Sequence, residues 1–442
     1  MTGRGARIVA ALARASAGGL LKGGLGLRGP GPVRSAAARR MRTAFEELGP
    51  AFVKLGQVVS VRPDVFSPEV AMEMSSLRDA VPPMRFEEVE RVFAAEFGRG
   101  PHELFAGFEE NPMAAASVAQ VHRARLRETV RPSWGDPVPA GSTVAVKVLR
   151  RGVRESLLGD LAAIRVLLRG RPARLLLKRA EDLVHVLDEV EQAVLHETDM
   201  RAEGVTADGF ALDFADEPAI RVPRVLWRHT GRRILTMEYV AGWPLSALDE
   251  AREAGVDCER LARLGAVAFM RQVLVNGRFH ADLHPSNLLV TADGRIVYLD
   301  FGIVGTLGRE EGAAVAEILS AIVAGDPAAA LAASERLGVA VPGPLRRAVI
   351  LDLAALMRGT LEETRDVKHF GLGLLRVLRK HDVRVPRGYG LLVKALVTVE
   401  GVSRALYPDI DIIGLAARYT TALEAPAVLY SSLRTALRLP GR

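Results

Sequence analysis

Residues 279–302 read FHADLHPSNLLVTADGRIVYLDFG. This stretch contains side chains suited to binding a divalent cation and to moving a proton. They are the carboxylates of Asp282 and Asp300 and the amide of Asn287. Asp300 follows Ile296–Leu299, an apolar run with the length and composition of a buried strand. Carboxylate and amide oxygens suit Mg²⁺, and a further carboxylate can accept a proton. The stretch therefore predicts a loop with a catalytic carboxylate, followed by a strand that ends at a metal ligand.

Two histidines in the same stretch allow a different interpretation. His280 and His284 are four residues apart, a spacing that can bind Zn²⁺ when both side chains lie on one helix. Pro285 follows at once and disfavours a helix here. The lone cysteine, Cys258, has no neighbour that suggests an activating base, so a catalytic thiol is not favoured either. Magnesium is the predicted metal, with zinc as the weaker alternative.

The spacing of residues 280–287 reproduces the protein-kinase catalytic loop, His-Arg-Asp-x₄-Asn, and Asp300 begins the Asp-Phe-Gly that follows such a loop. Asp-Phe-Gly alone is common by chance, but two motifs in the right order and separation are not. The resemblance to kinases implies that Asp282 is the catalytic base. It also implies that Asn287 and Asp300 hold the Mg²⁺ that bridges the phosphates of ATP.

An upstream strand pattern supports the same comparison. In VAVKVL, residues 144–149, alternation places Lys147 on the face opposite the three valines. A lysine in so apolar a run is costly unless it meets an anion, and in kinases this lysine contacts the α- and β-phosphates. The alternative is an edge-strand lysine that reaches solvent. Glu238 and Val240 lie between Lys147 and Asp282 in the sequence, where the linker between the lobes of a kinase would bind adenine through its main chain. The alternative is that this segment is an ordinary strand.

Four features depart from ordinary kinases. The place of the glycine-rich phosphate loop is taken by Ala114, Ala115, Ala116 and Ser117, and no glycine occurs in residues 113–122. A helical region that ordinary kinases lack carries Lys54-Leu55-Gly56-Gln57. Near the end of a long helical region, Glu197-Thr198-Asp199 precedes Glu203. After Asp300-Phe301-Gly302 a helix is predicted from about Glu310, which leaves no room for an activation segment.

Together these features resemble the UbiB/AarF/ADCK family of atypical kinase-like proteins. The family's Lys-x-Gly-Gln motif matches Lys54–Gln57, its alanine-rich loop matches Ala114–Ser117, and its Glu-x-Asp motif matches Glu197 and Asp199. Its catalytic loop, His-Ala-Asp-Pro-His-Pro-Gly-Asn, appears here with Leu283 and Ser286 as substitutions. The resemblance spans about residues 40–415 and is specific, because unrelated motifs agree in order.

The family resemblance implies roles for single residues. Lys54 would pair with Glu197 and Asp199 where a peptide substrate would otherwise enter, so that Lys54, Gly56, Gln57, Glu197 and Asp199 regulate the site. Glu203 would pair with Lys147, and Ala114–Ser117 would contact the nucleotide. Asp199 and Glu203 are four residues apart, so one helix face would carry both. The alternative is that Glu197, Asp199 and Glu203 are solvated side chains on an exposed helix face.

The function implied is that of an Mg²⁺-dependent ATPase, or of a small-molecule or lipid kinase, in isoprenoid quinone or lipid metabolism. ATP, or ADP, and Mg²⁺ are the expected cofactors, and a prenyl-quinone precursor or a lipid is the expected partner. The phosphoryl acceptor stays unnamed. The alternative is a non-catalytic nucleotide-binding scaffold for a biosynthetic complex.

The predicted fold class is α+β, a bilobal protein-kinase-like fold with an N-terminal helical extension. We predict a basic flexible arm over residues 1–40 and a helical extension with the Lys-x-Gly-Gln motif over 41–104. A kinase-like N-lobe with inserted helices follows at 105–241, and a helical C-lobe at 242–442. The strands expected in the N-lobe include 119–126 and 143–149, which flank a Pro/Gly-rich turn.

The charge distribution bears on partners and location. The 442 residues carry a net charge of +7, and residues 1–42 hold nine basic side chains and no acidic one. Because the excess lies in the arm and aromatic residues make up 5%, no nucleic-acid partner is expected. The arm is interpreted either as a solvated tail or as a weak contact with an anionic membrane. No run approaches the ~18 apolar residues of a spanning helix. A cytoplasmic protein is expected, with peripheral contact at the inner face of the cell membrane as an alternative.

Overall fold

The computed structural model describes the chain in segments and groups them in two units. One unit contains the described residues up to Gly209 together with Pro223–Tyr239, and the other contains Phe210–Val222 and the described residues from Val240 onward. The described residues are 31–60, 70, 73–74, 76–77, 82–169, 180–360, 367–381, 383 and 387–423. Most of the predicted basic arm, residues 1–30, lies outside them.

Two consecutive helices open the first unit. Helix α1, Gly31–Leu48, begins inside the predicted arm, and α2, Pro50–Ser60, carries the Lys-x-Gly-Gln motif. Gly49 joins them with a φ of 94°, a left-handed conformation that glycine adopts without a steric penalty. Pro50 then starts α2 at a position where its missing N–H costs nothing. Phe45 and Phe52 hold the two helices together through an edge-to-face contact with ring centroids 5.6 Å apart.

The next helix follows the helical spacing of Phe86, Val89, Phe93 and Phe97 in the sequence. Helix α3, Phe86–Phe97, buries Val89, Val92 and Phe93. It ends at Gly98, whose φ of 69° and N–H bond to the Ala94 carbonyl make a left-handed C-cap. Helix α4, Pro101–Leu104, leads directly into the first strand.

An antiparallel five-stranded sheet follows in the first unit, ordered β1-β3-β4-β6 with β2 also paired to β3. Strands β3 and β4 have the predicted bounds, and their register sets Lys147 opposite Val121. Val144, Val146 and Val148 face the core beside Phe93 and Phe105, as the alternation predicts. The strands are β1 Phe105–Phe108, β2 Ala114–Ala115, β3 Ala119–Leu126, β4 Thr143–Leu149 and β6 Ile234–Glu238.

The leucine-rich region 155–204 predicts one long helical stretch, and its described residues form three helices. They are α5 Val153–Arg169, α6 Ala180–Glu197 and α7 Met200–Asp213. Helix α2 packs on α5 and α6 within the first unit. Thr198 and Asp199 interrupt the helical backbone between α6 and α7, so Asp199 and Glu203 do not share one continuous helix as predicted.

A buried polar chain crosses the core of the first unit. The Met84 N–H donates to Gln120 Oε1 at 2.6 Å, and Gln120 Nε2 lies 2.8 Å from His122 Nε2. His122 Nδ1 lies 2.8 Å from the Glu109 carbonyl oxygen. Because a carbonyl can only accept, Nδ1 carries the proton and Nε2 accepts from the Gln120 amide. The imidazole is therefore neutral, and burial lowers the pKa of His122 from its ordinary value of 6.5.

A second buried histidine in this core makes stability depend on pH. His229 packs on Phe105, its Nδ1 is buried without a hydrogen-bond partner, and burial lowers its pKa from 6.5. Below pH 6.5 the unfolded chain takes up protons that the folded chain does not, so the free energy of unfolding should fall. The slope is at most ~1.4 kcal/mol per pH unit for each such histidine.

Urea unfolding at pH 7.5 and 5.5, on the wild type and on His229→Phe, measures this slope. The variant should lose less stability on acidification, because it lacks one of the buried imidazoles whose pKa is lowered by folding. Between pH 7.5 and 8.5 the two proteins should change in parallel, which serves as the control. Equal losses between pH 7.5 and 5.5 would show that His229 does not contribute.

The second unit combines short strands with a larger set of helices. Strand β5, Ile220–Arg221, runs parallel to β10, Ile296–Tyr298. Strand β9, Leu288–Val290, pairs with β10 and with β7, Trp243–Pro244. A separate pair joins β8, Arg278–His280, to β11, Val304–Thr306. The sequence RVPRVLW, residues 221–227, predicts a single strand, but it is divided: Arg221 pairs in the second unit, whereas Val225 bridges to Met237 in the first.

The helices of the second unit form its core. Buried side chains from α10 to α14 pack together, among them Ile322, Leu353, Phe370 and Val393. Helix α10 begins at Arg309, close to the predicted start at Glu310. The helices are α8 Leu248–Glu253, α9 Cys258–Arg271, α10 Arg309–Ala324, α11 Pro327–Arg336, α12 Gly343–Arg358, α13 Val367–Lys380, α14 Arg387–Leu406 and α15 Ile412–Leu423.

Candidate functional site

The lysine predicted on the valine-rich strand forms an ion pair inside the first unit. Lys147 Nζ lies 2.7 Å from Glu203 Oε1 and 3.0 Å from Oε2. Glu203 sits in the first turn of α7 and its side chain is 1% exposed. A buried carboxylate is stable only with a partner, and a lysine on an apolar strand needs an anion. The structure brings this predicted pair together.

Two tryptophans fix α7, the helix that carries Glu203. The indole N–H of Trp134 donates to Asp208 Oδ1 at 3.1 Å and that of Trp227 donates to Oδ2 at 2.8 Å. A Cβ at Gly204 would lie 3.0 Å from the Trp227 ring, so a larger residue there would require the ring or the helix to shift slightly. No sequence pattern marked Asp208, Trp134 or Trp227. Together they hold α7 where Glu203 meets Lys147.

Replacing Asp208 with leucine should destabilise the protein by about 2 kcal/mol, because two indole N–H groups lose their acceptor. The emission of the tryptophans should also shift, since Trp134 and Trp227 are two of the three tryptophans in the chain. Urea unfolding followed by tryptophan fluorescence measures both effects. Asp249→Leu is the matched control: this aspartate is 92% exposed and should change stability by less than about 0.5 kcal/mol.

The Lys-x-Gly-Gln motif is tied to the end of α6. Lys54, which is nearly buried, donates a hydrogen bond to Glu197. Asp199, the other predicted partner, instead caps α7: its Oδ1 accepts the N–H groups of Arg201 and Ala202 at 3.1 and 3.2 Å. A Cβ at Gly56 would overlap the side chain of Leu77, which would have to shift to accommodate a larger residue. Gln57 follows on α2 and is half-buried.

The alanine-rich segment makes a tight turn between β2 and β3. Ala114 and Ala115 form β2, and the Ala116 N–H donates to the Ala119 carbonyl at 2.9 Å. Arg150 holds the turn from below, since its Nε donates to the Ala116 carbonyl at 2.8 Å. Ser117 is buried. The turn is thus short and braced, unlike an open glycine-rich loop, and its contact with a nucleotide stays a prediction.

The predicted adenine-binding segment follows β6. Glu238 ends the strand, and its carboxylate accepts two bonds of 3.0 Å from Arg224, a bidentate pair. Its side chain is therefore occupied, which leaves the main chain as the part that could bind adenine. Arg123 stacks on the Tyr239 ring with its guanidinium carbon 4.8 Å from the centroid. Val240, which is buried, is where the chain returns to the second unit.

In the second unit one histidine connects the catalytic loop to Asp300. His280 Nδ1 accepts the Asp282 N–H at 3.1 Å, and Nε2 donates to the Asp300 carbonyl. Burial is the main cause that lowers the pKa of His280, so the ring is neutral with its proton on Nε2. Both ring nitrogens are engaged, and His284 is exposed with Nδ1 bonded to Ser286. These bonds argue against the zinc alternative.

The two predicted metal ligands are oriented by backbone groups. Asn287 Nδ2 donates to the Asp282 carbonyl at 3.1 Å, which turns its Oδ1 to the other side of the amide. Asp300 Oδ1 accepts the Gly302 N–H at 2.8 Å, which fixes the carboxylate above the turn. The loop thus presents an amide oxygen and a carboxylate, the ligand types that Mg²⁺ prefers.

A lysine that no sequence pattern marked contacts the catalytic loop. Lys394 Nζ, from α14, lies 3.0 Å from Asp282 Oδ1, and both residues belong to the second unit. They are 112 residues apart. Lys394 stands in the apolar run LLVKALV, residues 391–397, but this run does not indicate which acidic residue the lysine meets. Only the packing of α14 reveals the pair.

Comparison with known proteins decides the family. Residues 76–334, more than half of the chain, match the ABC1 atypical kinase-like domain, and residues 372–411 match the UbiB helical domain. The chain belongs to the ABC1/UbiB family of atypical kinase-like proteins. The predicted α+β, kinase-like fold class with a helical extension is thereby confirmed. Lys147, Glu203, Asp282, Asn287 and Asp300 all lie within the first match, and Lys394 lies within the second.

Relatives agree with this membership. The chain is 34% identical over 389 residues to the probable protein kinase UbiB of Marinobacter nauticus, covering 84% of this chain and 67% of that protein. It is 32% identical to the uncharacterized protein sll1770 of Synechocystis, over 87% of this chain and 64% of that one. Against the Synechocystis protein sll0005 it spans 56% of the relative's length. Several relatives are therefore much longer than the matching region.

A solved structure supports the fold. The Mycobacterium tuberculosis protein Rv3197, determined with erythromycin, aligns with a TM-score of 0.50 and 22% identity, covering 86% of this chain and 98% of that one. At this identity the likeness concerns the fold alone. Among the described residues no helix combines the length and apolarity that crossing a bilayer requires. The proposed membrane contact of the basic arm remains a sequence prediction.

Proposed function

We propose that this protein is an Mg²⁺-dependent ATP-binding enzyme, an ATPase or a kinase for a small molecule or lipid. The observation that carries the proposal is the bonding of His280 to both Asp282 and Asp300. One buried neutral ring ties the proposed base and the proposed metal ligand into a single rigid loop system. Such preorganisation is what phosphoryl transfer requires, since its catalysis consists mostly of positioning and electrostatics.

The residues present fit the cofactors. Mg²⁺ would be held by Asn287 and Asp300, whose oxygens are oriented by the bonds to Asp282 and Gly302, and when bound it would neutralise phosphate charge. Lys147, held by Glu203, would bind the phosphates of the nucleotide. The braced turn Ala114–Ser117 would lie along the nucleotide, and the main chain of Glu238 and Val240 would bind adenine. Asp282 would accept the proton of the attacking hydroxyl, from water or from a lipid-like alcohol.

The Lys-x-Gly-Gln helix supports a regulatory role rather than peptide phosphorylation. Lys54 is nearly buried and bonded to Glu197, and Gly56 allows α2 to pack closely against Leu77. A helix so closely packed is a fixed element of the first unit. We attribute control of access to Lys54, Gly56, Gln57, Glu197 and Asp199. Relatives named as probable UbiB kinases favour isoprenoid quinone or lipid metabolism as the setting.

Nucleotide turnover by the full chain tests the proposal. ATP hydrolysis should require Mg²⁺ and stop with excess EDTA, and a prenyl-phenol or lipid vesicles should raise the rate if either supplies the acceptor or its surface. Thermal stabilisation by ATP, measured in parallel, separates binding from chemistry. Stabilisation without turnover would reject the enzyme and favour the non-catalytic scaffold. Absence of both would reject nucleotide binding altogether.

A further inference from the structure

The ion pair between Lys394 and Asp282 joins the helical domain to the catalytic loop. Its Nζ–Oδ1 distance is 3.0 Å, and the side chains are 21% and 37% exposed. A partly exposed pair of this kind contributes little to stability. Stability therefore gives little reason for a lysine at this position. The position of its partner, the proposed base, suggests a role in the reaction.

The backbone of Lys394 is held in place by its surroundings. Its neighbours Val393 and Ala395 are buried, and its carbonyl accepts the Thr398 hydroxyl at 2.9 Å. Helix α14 packs on α9, on α13 and on β11, the strand that follows Asp300-Phe301-Gly302. The ammonium group of Lys394 thus extends from a fixed helix rather than from a mobile loop. A group so mounted can set the direction of the carboxylate that it contacts.

The Asp282 main chain is fixed separately from its side chain. Its N–H donates to His280 and its carbonyl accepts from Asn287, so the loop holds the backbone on both sides. Neither bond determines where the carboxylate points. Lys394 Nζ contacts the carboxylate at Oδ1, and this ion pair constrains its direction from α14. The ion pair thus orients the carboxylate and also links the catalytic loop to the helical domain, so its loss would loosen the loop.

We propose that Lys394 is a positioning residue for Asp282, so that the UbiB helical domain forms part of the reacting site. This inference rests on the proposed function, because it assumes that Asp282 meets the attacking hydroxyl. Lys394 acts through Asp282 and need not touch the nucleotide. Its loss should therefore reduce kcat while leaving KM for ATP nearly unchanged.

Steady-state kinetics of Lys394→Met and Lys394→Arg test the role. Lys394→Met should lower kcat about tenfold to a hundredfold with less than about a twofold change in KM, the loss typical of a misplaced catalytic group. Lys394→Arg keeps the charge and should recover much of kcat. Lys380→Met is the control, because Lys380 on neighbouring α13 pairs with Asp352 and is 64% exposed. A wild-type kcat in Lys394→Met, or equal losses in Lys380→Met, would overturn the proposal.

A readout without turnover separates this inference from the proposed function. Amide hydrogen exchange of residues 280–287 should rise several-fold in Lys394→Met and stay at the wild-type level in Lys380→Met, with equal melting temperatures. If wild-type protein shows no turnover, the proposed function fails, and the exchange result still decides whether Lys394 orders the loop. Unchanged exchange in Lys394→Met would overturn the positioning role in either case.

Discussion

Mg²⁺-dependent ATP turnover should fall by about 10²–10³-fold in the Asp300→Asn variant, if the proposed function holds. The substitution keeps the size of the side chain and one oxygen, so the Gly302 N–H can still donate a hydrogen bond to residue 300. What is lost is the negative charge that attracts Mg²⁺. The fold should survive, because the Asp300 carbonyl still accepts from His280. The defect should therefore appear in turnover and metal affinity and not in the melting temperature.

The matched control is Asp293→Asn. Asp293 precedes the same strand, β10, but is half exposed and bonds to Thr291 and Arg295 in a surface turn. It should retain wild-type turnover. Raising Mg²⁺ should partly restore Asp300→Asn if the loss is one of metal affinity. Wild-type turnover in Asp300→Asn at low Mg²⁺ would contradict the assignment of Asp300.

Glu203→Leu should destabilise the protein by about 3–5 kcal/mol, because it leaves the Lys147 ammonium facing a buried position without its carboxylate. The double variant Lys147→Met with Glu203→Leu should regain much of this loss, since apolar side chains of similar volume suit the same space. Chemical unfolding of the four proteins forms a double-mutant cycle that isolates the pair.

A surface pair provides the comparison for this cycle. Arg228 and Glu128 lie 2.9 Å apart and are 64% and 48% exposed, so Glu128→Leu should cost less than about 1 kcal/mol. Nucleotide binding adds a second measurement. Both Glu203→Leu and Lys147→Met should weaken ATP-induced stabilisation if Lys147 binds phosphate. Equal stability changes in Glu203→Leu and Glu128→Leu would show that burial does not strengthen the pair.

The sequence predicted the elements that local patterns determine. Strands β3 and β4 have the expected bounds because alternating valines bury one face, and Gly98 ends α3 because its backbone takes the left-handed form. The pairing of Lys147 with Glu203 was implied by the family resemblance, and the apolar strand around Lys147 agreed with a need for an anion. These features rest on signals within a few residues of each other, or on spacing shared with a known family.

Contacts between distant segments were not predictable in this way. Lys394 reaches Asp282 only because α14 packs beside the catalytic loop. The spacing of apolar residues in the sequence does not predict which segments pack together in this way. The hydrogen bonds of Asp208 come from Trp134 and Trp227, which follow different strands in the sequence. Asp199 had a local signal, since aspartate is a favoured N-cap residue, but the acidic pattern around it suggested an uninterrupted helix face. The family comparison placed the motifs and did not give these contacts.

The chain passes between the two units three times: after Gly209, after Val222 and after Tyr239. If the chain is cut at the predicted lobe boundary, 241/242, the C-terminal fragment contains β10 but lacks β5, its parallel neighbour. The unpaired edge of β10 would be open to pairing with other chains. During synthesis, residues 210–222 leave the ribosome long before β10 exists, so they must wait for their partner strand. Neither half can thus be completed alone, and the protein should assemble as one cooperative whole.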